Sequence, residues 1–167
     1  MPLELHPKSK IFVDANIFIY YFATPNRFEQ SCTNLFLKFQ DEQLFGYTSV
    51  SVILETLHRL MVIEASTKIS SHALVSHLKN SPALVKHLHN YSKILEIIPL
   101  LNIKIISATM DDLLNSIKIK EEHGLLTNDS LIVALMQKQN IEILATNDLD
   151  FDRIKFLHIW KPSTTNL

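Results

Sequence analysis

KIFVDAN, residues 10–16, is a short apolar run that ends in an aspartate and a turn-prone Ala-Asn pair. A second run of the same kind, EILATND, occupies residues 142–148. Continuous apolar runs of this length are typical of strands that are buried on both faces of a parallel sheet. With three further runs, the sequence predicts strands at Lys10–Asp14, Leu44–Thr48, Ile103–Ser107, Ile141–Thr146 and Leu157–Trp160.

Helical patterns lie between these strands, because apolar residues recur there at helical spacing. Strands that alternate with helices predict a mostly parallel α/β sheet with helices on both faces. A helix over 49–64 would be capped by Ser49 or Ser51, and Gly124 would stop the helix that precedes it. The predicted helices are Asn16–Phe22, Phe28–Phe39, Ser49 or Ser51 to about Glu64, Thr109–Glu122, and Asn128–Gln139 with Asn128 or Thr127 as its cap.

Residues 66–101 carry the least regular pattern in the chain. Two helices are predicted there, separated near Ser81, with Pro82 in the first turn of the second. A chain of 167 residues fits one domain with a sizeable core, and no linker, repeat or low-complexity stretch interrupts it. We therefore predict a single domain over residues 1–167 with an extended helical region at about 66–101.

The composition excludes several classes of protein. A net charge of −1 gives no overall basic field that would attract nucleic acid, although a nuclease can still reach phosphate through a metal ion. Only Gly46 and Gly124 are glycine, which excludes the glycine-rich nucleotide-binding loops. Cys32 is the single cysteine, MPLELHPKSK has no secretory h-region, and no apolar run approaches the ~20 residues of a membrane span. We expect a cytoplasmic protein without a membrane partner.

Four acidic residues suggest a metal site. Asp14 and Asp148 follow the two apolar runs, and Glu55 and Asp129 lie in predicted helices. In an α/β fold, the carboxyl ends of strands and the adjoining helix starts gather in one crevice. Carboxylates that converge there would repel one another unless a cation lies between them. Mg²⁺ or Mn²⁺ held by carboxylates and water is suited to phosphate chemistry.

The segments that carry these acids resemble the motifs of PIN-domain nucleases. IFVDANIFIYYF, residues 11–22, is similar to the first motif, a hydrophobic strand followed by Asp-x-Asn. TSVSVILETLHRL, residues 48–60, is similar to the second, a Ser/Thr-rich entry with a Glu about two turns in. LLTNDSLIVALMQKQNIEILATNDLDFDRI, residues 125–154, resembles the third and fourth together. Any one motif is weak, but the four in the family's order make the resemblance strong.

The resemblance implies a PIN-like three-layer α/β/α sandwich with about five strands and Mg²⁺- or Mn²⁺-dependent cleavage of RNA, leaving 5′-phosphate and 3′-hydroxyl ends. By position, Asp14, Glu55, Asp129 and Asp148 match the family's acidic quartet, and Asn16 matches its frequent Asn. Many members of this length are VapC-type toxins of bacterial toxin–antitoxin pairs. An RNA substrate and an antitoxin are therefore the implied partners.

We assign the quartet roles as hypotheses. Asp14 is the central ligand, Asp129 and Asp148 complete the metal pocket, and Glu55 positions or deprotonates the attacking water. Asp150, two residues beyond Asp148, is a reserve ligand.

Local alternatives compete with several of these roles. Glu55 could pair with Arg59 at i, i+4 on a solvated helix face. Asn16 could bond only the backbone of its own loop. Thr146 could orient a phosphate or a carboxylate, or be a plain strand-end threonine. In the same acidic loop, Asp152 is expected to pair with Arg153 or to cap a turn.

Three functions stay open at this point. The chain could be a toxin-type endoribonuclease, a non-toxin PIN nuclease of RNA processing, or a non-catalytic α/β module whose acids bind a cation. The 66–101 region is longer than in compact toxins, and the chain lacks the Arg/Lys-rich surface that some members carry. An exposed apolar face in that region would mark a homodimer or antitoxin surface.

Overall fold

The computed structural model describes residues 3–23, 25–69 and 73–164. One sheet of five strands runs through it in the order β3-β2-β1-β4-β5, and every neighbouring pair is parallel. The predicted parallel sheet is confirmed, and each strand lies within its predicted bounds apart from the last residue of β2. The strands are β1 (Lys10–Val13), β2 (Phe45–Ser49), β3 (Ile103–Ile106), β4 (Ile143–Ala145) and β5 (His158–Trp160).

Helices connect the strands and cover both faces of the sheet. From β1 the chain steps outward through β2 to β3, then returns to add β4 and β5 on the other side of β1. Since parallel crossovers are right-handed, this reversal places the first helices after β1 and β2 and the helices between β3 and β4 on opposite faces, and the predicted sandwich is confirmed. The helices are α1 (Ala15–Phe22), α2 (Glu29–Gln40), α3 (Val50–Ser66), α4 (Leu74–Lys79), α5 (Pro82–Lys86), α6 (Ile94–Ile97), α7 (Met110–His123) and α8 (Thr127–Lys138).

Strand β1 lies at the centre of the core. Its residues Ile11, Phe12 and Val13 have no exposed surface, as expected of a middle strand with helices on both faces. Next to it, Gly46 of β2 permits close packing, because a Cβ there would lie 2.9 Å from the side chain of Ile103 and about 3.1 Å from the Phe39 ring. The close-packed core therefore surrounds β1 up to Val13, the residue before Asp14.

Two helix caps differ in how well the sequence predicts them. Ser49 caps α3 as expected, since its hydroxyl accepts a hydrogen bond of 3.3 Å from the backbone N–H of Val52. The predicted cap of α8 is wrong: the helix begins at Thr127, and Leu126 precedes it without a side-chain cap. Asn128 does not cap because it already lies inside the first turn of α8, and its side-chain amide donates a hydrogen bond to Glu55.

The region 66–101 differs from the prediction of two helices. Short helices α4, α5 and α6 alternate with 3-10 turns at Asn90–Lys93 and Ile98–Leu101, while residues 70–72 lie outside the described ranges. Pro82 does open α5, as predicted. A small apolar cluster of Ala65, Leu78 and Leu88 packs this region against α3.

Glu64 ties the same region to α3. Its carboxylate accepts hydrogen bonds from the backbone N–H groups of His89 (3.1 Å) and Tyr91 (3.0 Å), and Lys68 lies 3.7 Å away. Burial alone would raise the pKa of Glu64, but these N–H groups and Lys68 outweigh it and hold the pKa below its ordinary value. In the described ranges, no helix is both long and apolar enough to cross a bilayer.

Candidate active site

The candidate site lies where the strand order reverses. The connections that leave β1 and β4 turn to opposite sides, and ligands of α/β folds bind in the crevice that this divergence opens. Asp14 directly follows β1, and Asp148 lies three residues after β4. A pocket of about 400 Å³ is found there, and it is lined by all four predicted acids, Asp14, Glu55, Asp129 and Asp148. Asn16 and Tyr20 are among its other lining residues.

Asp14 is held in place through both of its carboxylate oxygens. Oδ1 accepts a hydrogen bond of 2.6 Å from the backbone N–H of Ala15, which makes Asp14 the N-cap of α1. Oδ2 accepts from the amide of Asn16 (2.6 Å) and from the hydroxyl of Thr146 (2.7 Å). The carboxylate is therefore fixed where the central strand meets the pocket.

Burial dominates the charge state of Asp14, whose exposed fraction is 7%. Loss of water raises its pKa to about 6, although hydrogen bonds from Thr146 and Ala15 stabilise the ionised form, and the charges of Glu55 and Asp148 raise the pKa further. The group is ionised at neutral pH but lies near its titration range. A nearby cation would stabilise the ionised form of such a carboxylate.

Asn16 and Thr146 form a network around Asp14. The Asn16 amide donates a second hydrogen bond to the Thr146 hydroxyl (2.9 Å), and its oxygen accepts from the backbone N–H of Asn147 (3.0 Å). The Thr146 hydroxyl also accepts from the backbone N–H of Asp148 (3.0 Å). Thr146 thus contacts the Asp14 carboxylate directly, as the prediction that it orients a carboxylate requires.

Tyr20 is a pocket residue that the sequence analysis missed. Its hydroxyl accepts a hydrogen bond of 3.1 Å from the side-chain amide of Asn147, and its ring packs on Phe28 at 4.7 Å between centroids. The only signal in the sequence is its spacing from Asn16. Four residues apart on a helix, the two side chains share one face of α1.

Glu55 does not form the local ion pair that was its alternative. Its Oε2 accepts a hydrogen bond of 2.6 Å from the amide of Asn128, at the start of α8. Arg59, one turn further along α3, lines the same pocket. Within the described residues Arg59 has neither an ion pair nor a hydrogen bond through its side chain.

Of the four acids, Asp129 has the carboxylate with the fewest hydrogen bonds in the described ranges. It lies half-buried in the first turn of α8, and no residue in the described ranges donates a hydrogen bond to its carboxylate. Burial is the largest cause that raises its pKa to about 6, followed by the charges of Asp14, Asp148, Glu55 and Asp150. The negative charges around Asp129 therefore add to the effect of burial and disfavour its ionised form.

The acidic loop after β4 has different ion pairs from those predicted. Asp148 Oδ1 accepts a hydrogen bond of 2.8 Å from the backbone N–H of Asp150. Asp150, the reserve ligand, does not line the pocket and pairs with Arg153. The prediction that Asp152 pairs with Arg153 is wrong, because Asp152 pairs with Lys161 at 2.7 Å.

The donor set suits a hard divalent cation. Within the described residues, no three His, Cys, Asp or Glu side chains are arranged so that they could hold a metal as they stand. Mg²⁺ keeps several waters and takes only one or two carboxylates directly, so it does not require a closed protein cage. The bare carboxylate of Asp129 and the raised pKa values of Asp14 and Asp129 fit such an ion.

Comparison with known proteins gives a consistent family. The family model for the PIN domain matches residues 11–157. A curated relative, Ribonuclease VapC6 of Methanocaldococcus jannaschii, is 30% identical over 114 residues, which is 63% of this chain and 74% of the relative.

Solved structures share the fold at lower identity. VapBC2 from Rickettsia felis, bound to a DNA fragment from its promoter, aligns with a TM-score of 0.58 at 21% identity, over 92% of this chain and 99% of that one. Mycobacterium tuberculosis VapC20, described as a sarcin-ricin loop cleaving toxin, aligns with a TM-score of 0.60 at 17% identity, over 88% and 96%.

Proposed function

The chain belongs to the PIN-domain family, and from that premise we propose that it is a divalent-metal-dependent endoribonuclease, the toxin of a toxin–antitoxin pair. One observation carries the proposal: four carboxylates from separate segments, Asp14, Glu55, Asp129 and Asp148, line a single pocket at the end of the central strand. The name of the curated relative, Ribonuclease VapC6, supports RNA as the substrate.

Each acid has a proposed role. Asp14, Asp129 and Asp148 hold Mg²⁺ or Mn²⁺, directly or through water, and Glu55 positions or deprotonates the attacking water. When bound, the ion supplies charge neutralisation of the phosphodiester and a nucleophile at neutral pH. We expect 5′-phosphate and 3′-hydroxyl products.

The hydrogen bonds around the acids support these roles. Thr146 and Asn16 fix the Asp14 carboxylate, so that it need not reorganise when a cation arrives. Asn128 holds one oxygen of Glu55 and leaves the other to contact water. This orientation of proton acceptors is what general-base catalysis requires.

The test is cleavage of RNA by the purified full chain with Mg²⁺ or Mn²⁺, and with EDTA. Asp14→Asn should abolish cleavage while the circular dichroism spectrum is unchanged. Asp111→Asn is the matched control, because Asp111 is an exposed acid in the first turn of α7. Cleavage that survives EDTA, or an Asp14→Asn variant with full activity, would contradict the proposal.

The two alternatives make different predictions. A non-catalytic cation-binding module would bind Mn²⁺ but release no RNA fragments. A PIN nuclease of RNA processing would cleave RNA, yet its expression would not arrest growth. Growth arrest that a small neighbouring gene product relieves would favour the toxin.

An antitoxin is the protein partner that we propose, and a homodimer is a second expectation. Helix α7 offers a candidate contact surface outside the 66–101 region, because four apolar side chains at i, i+3, i+4 and i+7 are 39–70% exposed. These four side chains are Met110, Leu113, Leu114 and Ile117. Light scattering of Leu114→Glu against the unaltered protein tests the homodimer.

We further expect the protein to act in the cytoplasm, where the buried Cys32 would remain reduced.

A further inference from the structure

Among the described residues that line the acidic pocket, Arg59 is the single basic one. It follows Glu55 by four residues on α3, so that both side chains lie on the pocket-facing side of the helix. Its side chain is exposed and is not held by any carboxylate in the described ranges. An arginine surrounded by acids ordinarily pairs with one of them.

Two of the pocket acids have other hydrogen-bond partners. Asn128 donates to Oε2 of Glu55, and no ion pair within the described residues joins Glu55 to Arg59. Both oxygens of Asp14 accept hydrogen bonds, from Ala15, Asn16 and Thr146. The guanidinium of Arg59 is therefore available to an anion that enters from solvent.

Beyond Arg59 the residues that line the pocket are mainly apolar. Ile19 of α1 and Val62 and Ile63 of α3 line it there, next to the ring of Tyr20. These apolar groups cannot assist a metal or a phosphate. They offer a surface of the kind on which a nucleobase packs.

We propose that Arg59 binds the backbone phosphate adjacent to the one that is cleaved, and that the apolar wall of Ile19, Val62 and Ile63 receives the base that lies beyond that phosphate. This inference rests on the proposed nuclease function. An RNA strand alternates anionic phosphates with apolar base faces. The pocket presents a cation site, a guanidinium and an apolar wall in turn. Arginine suits the middle position because its planar, permanently charged group can donate two parallel hydrogen bonds to one phosphate.

The first test separates binding from chemistry. Arg59→Ala should raise KM for a single-stranded RNA that the unaltered protein cleaves by roughly 10- to 100-fold, the effect of losing hydrogen bonds to a charged group, with little change in kcat. Arg59→Lys should recover part of the loss. Lys118→Ala, which removes an equal charge from an exposed site on α7, should leave KM unchanged.

The second test does not depend on turnover. In the Asp14→Asn background, binding of the same RNA is measured by fluorescence anisotropy over a series of salt concentrations. Removing one phosphate contact should reduce the slope of log K against log[salt] by about 0.7. Arg59→Ala should show this decrease, and Lys118→Ala should not.

The outcomes distinguish a failure of the proposed Arg59 role from a failure of the proposed nuclease function. Cleavage by the unaltered protein, together with an unchanged KM and salt slope in Arg59→Ala, would overturn the role of Arg59 and leave the nuclease intact. A protein that cleaves no RNA with either metal would overturn the nuclease and this inference with it. Since Arg59 is exposed, thermal melting should confirm that Arg59→Ala is folded.

Discussion

The hydroxyl of Thr146 donates a 2.7 Å hydrogen bond to Oδ2 of Asp14, across 132 positions of sequence. The bond joins the residue that follows β4 to the residue that follows β1. It lowers the pKa of a carboxylate that burial raises to about 6. The hydroxyl of Thr146 thus opposes the effect of burial and favours the ionised form of the central acid of the pocket.

Thr146→Val tests that effect. Without the hydroxyl, the pKa of Asp14 should rise further above about 6, because the ionised form loses a donor. Protons would then compete with metal at a higher pH. Mn²⁺ titrations at several pH values should show the loss of affinity on acidification beginning at higher pH in the variant than in the unaltered protein.

Thr56→Val is the control for that experiment. Thr56 is also a fully buried threonine, but its hydroxyl bonds the carbonyl of Val52 within α3. It should leave the pH dependence of Mn²⁺ binding unchanged. Equal pH profiles for Thr146→Val and the unaltered protein would show that the hydroxyl does not govern Asp14.

Asp129→Asn should stabilise the metal-free protein at pH 8. The folded pKa of about 6 lies above the ordinary 3.8, so the unaltered protein loses stability as pH rises from about 4 through 6. Removing the charge should raise the free energy of unfolding by about 1 kcal/mol, a figure reduced for partial exposure to solvent. Urea titrations should show the gain at pH 8 and none at pH 4. A destabilised variant at pH 8 would contradict the predicted repulsion.

Mg²⁺ should make the unaltered protein more stable than Asp129→Asn at pH 8, the reverse of the order expected without metal. A ligand that binds the folded state alone stabilises it by about 2.7 kcal/mol at a hundred times its Kd. The unaltered protein should therefore gain melting temperature with Mg²⁺, while Asp129→Asn should gain much less. Asp111→Asn, a matched first-turn substitution on α7, should respond like the unaltered protein. Equal gains in all three would place the ion elsewhere.

Asp112 should contribute stability at neutral pH that acid removes. Its Oδ2 accepts from the amine of Lys138 and from the N–H and hydroxyl of Thr109, each at 2.8 Å, and Lys138 is the largest cause that lowers its pKa to about 2. A depressed folded pKa means stability that is present above about pH 4 and lost as pH falls through 2. Asp112→Asn should cost about 1.5–3 kcal/mol at pH 7.

The neighbouring Asp111 supplies the comparison for Asp112. It is exposed in the same helical turn, so Asp111→Asn should change the free energy of unfolding by less than about 0.5 kcal/mol. The two variants should converge in urea titrations near pH 2. A cost for Asp112→Asn that did not shrink with acid would mean that its charge is not the cause.

Glu64→Gln should loosen the segment that Glu64 binds. The carboxylate accepts from the N–H groups of His89 and Tyr91, and hydrogen bonds to a charged group are worth about 1.5–3 kcal/mol. Hydrogen exchange at these two amides should accelerate roughly 10- to 100-fold. Exchange within β1 should not change, and Glu96→Gln, an exposed acid on α6, should affect neither.

The parts of the fold that the sequence predicts are those where pattern and burial agree. β1 and β4 are continuous apolar runs, and each is paired on both sides in the sheet. Asp14 follows β1 directly, and Asp148 follows β4 within three residues, so the strand ends alone place both acids at one edge. Parallel topology then accounts for their convergence.

The errors arise where distant partners decide local structure. The sequence offers Arg59, a neighbour on the same helix, as an ion-pair partner for Glu55. The partner in the structure is Asn128, 73 positions away. Asn128, predicted as a possible helix cap, lies inside the first turn of α8. In the 66–101 region, the turns are held by Glu64 of α3, and a local helical pattern carries no information about that contact.

The central position of β1 also sets the order in which the site can assemble during synthesis. At about 5–20 residues per second, the 132 positions between Asp14 and Thr146 take on the order of 10 s to translate. Until β4 emerges, one edge of β1 has no partner, and the nascent chain lacks both Thr146 and Asp148. The acidic pocket therefore cannot be complete before residues 146–148 have left the ribosome.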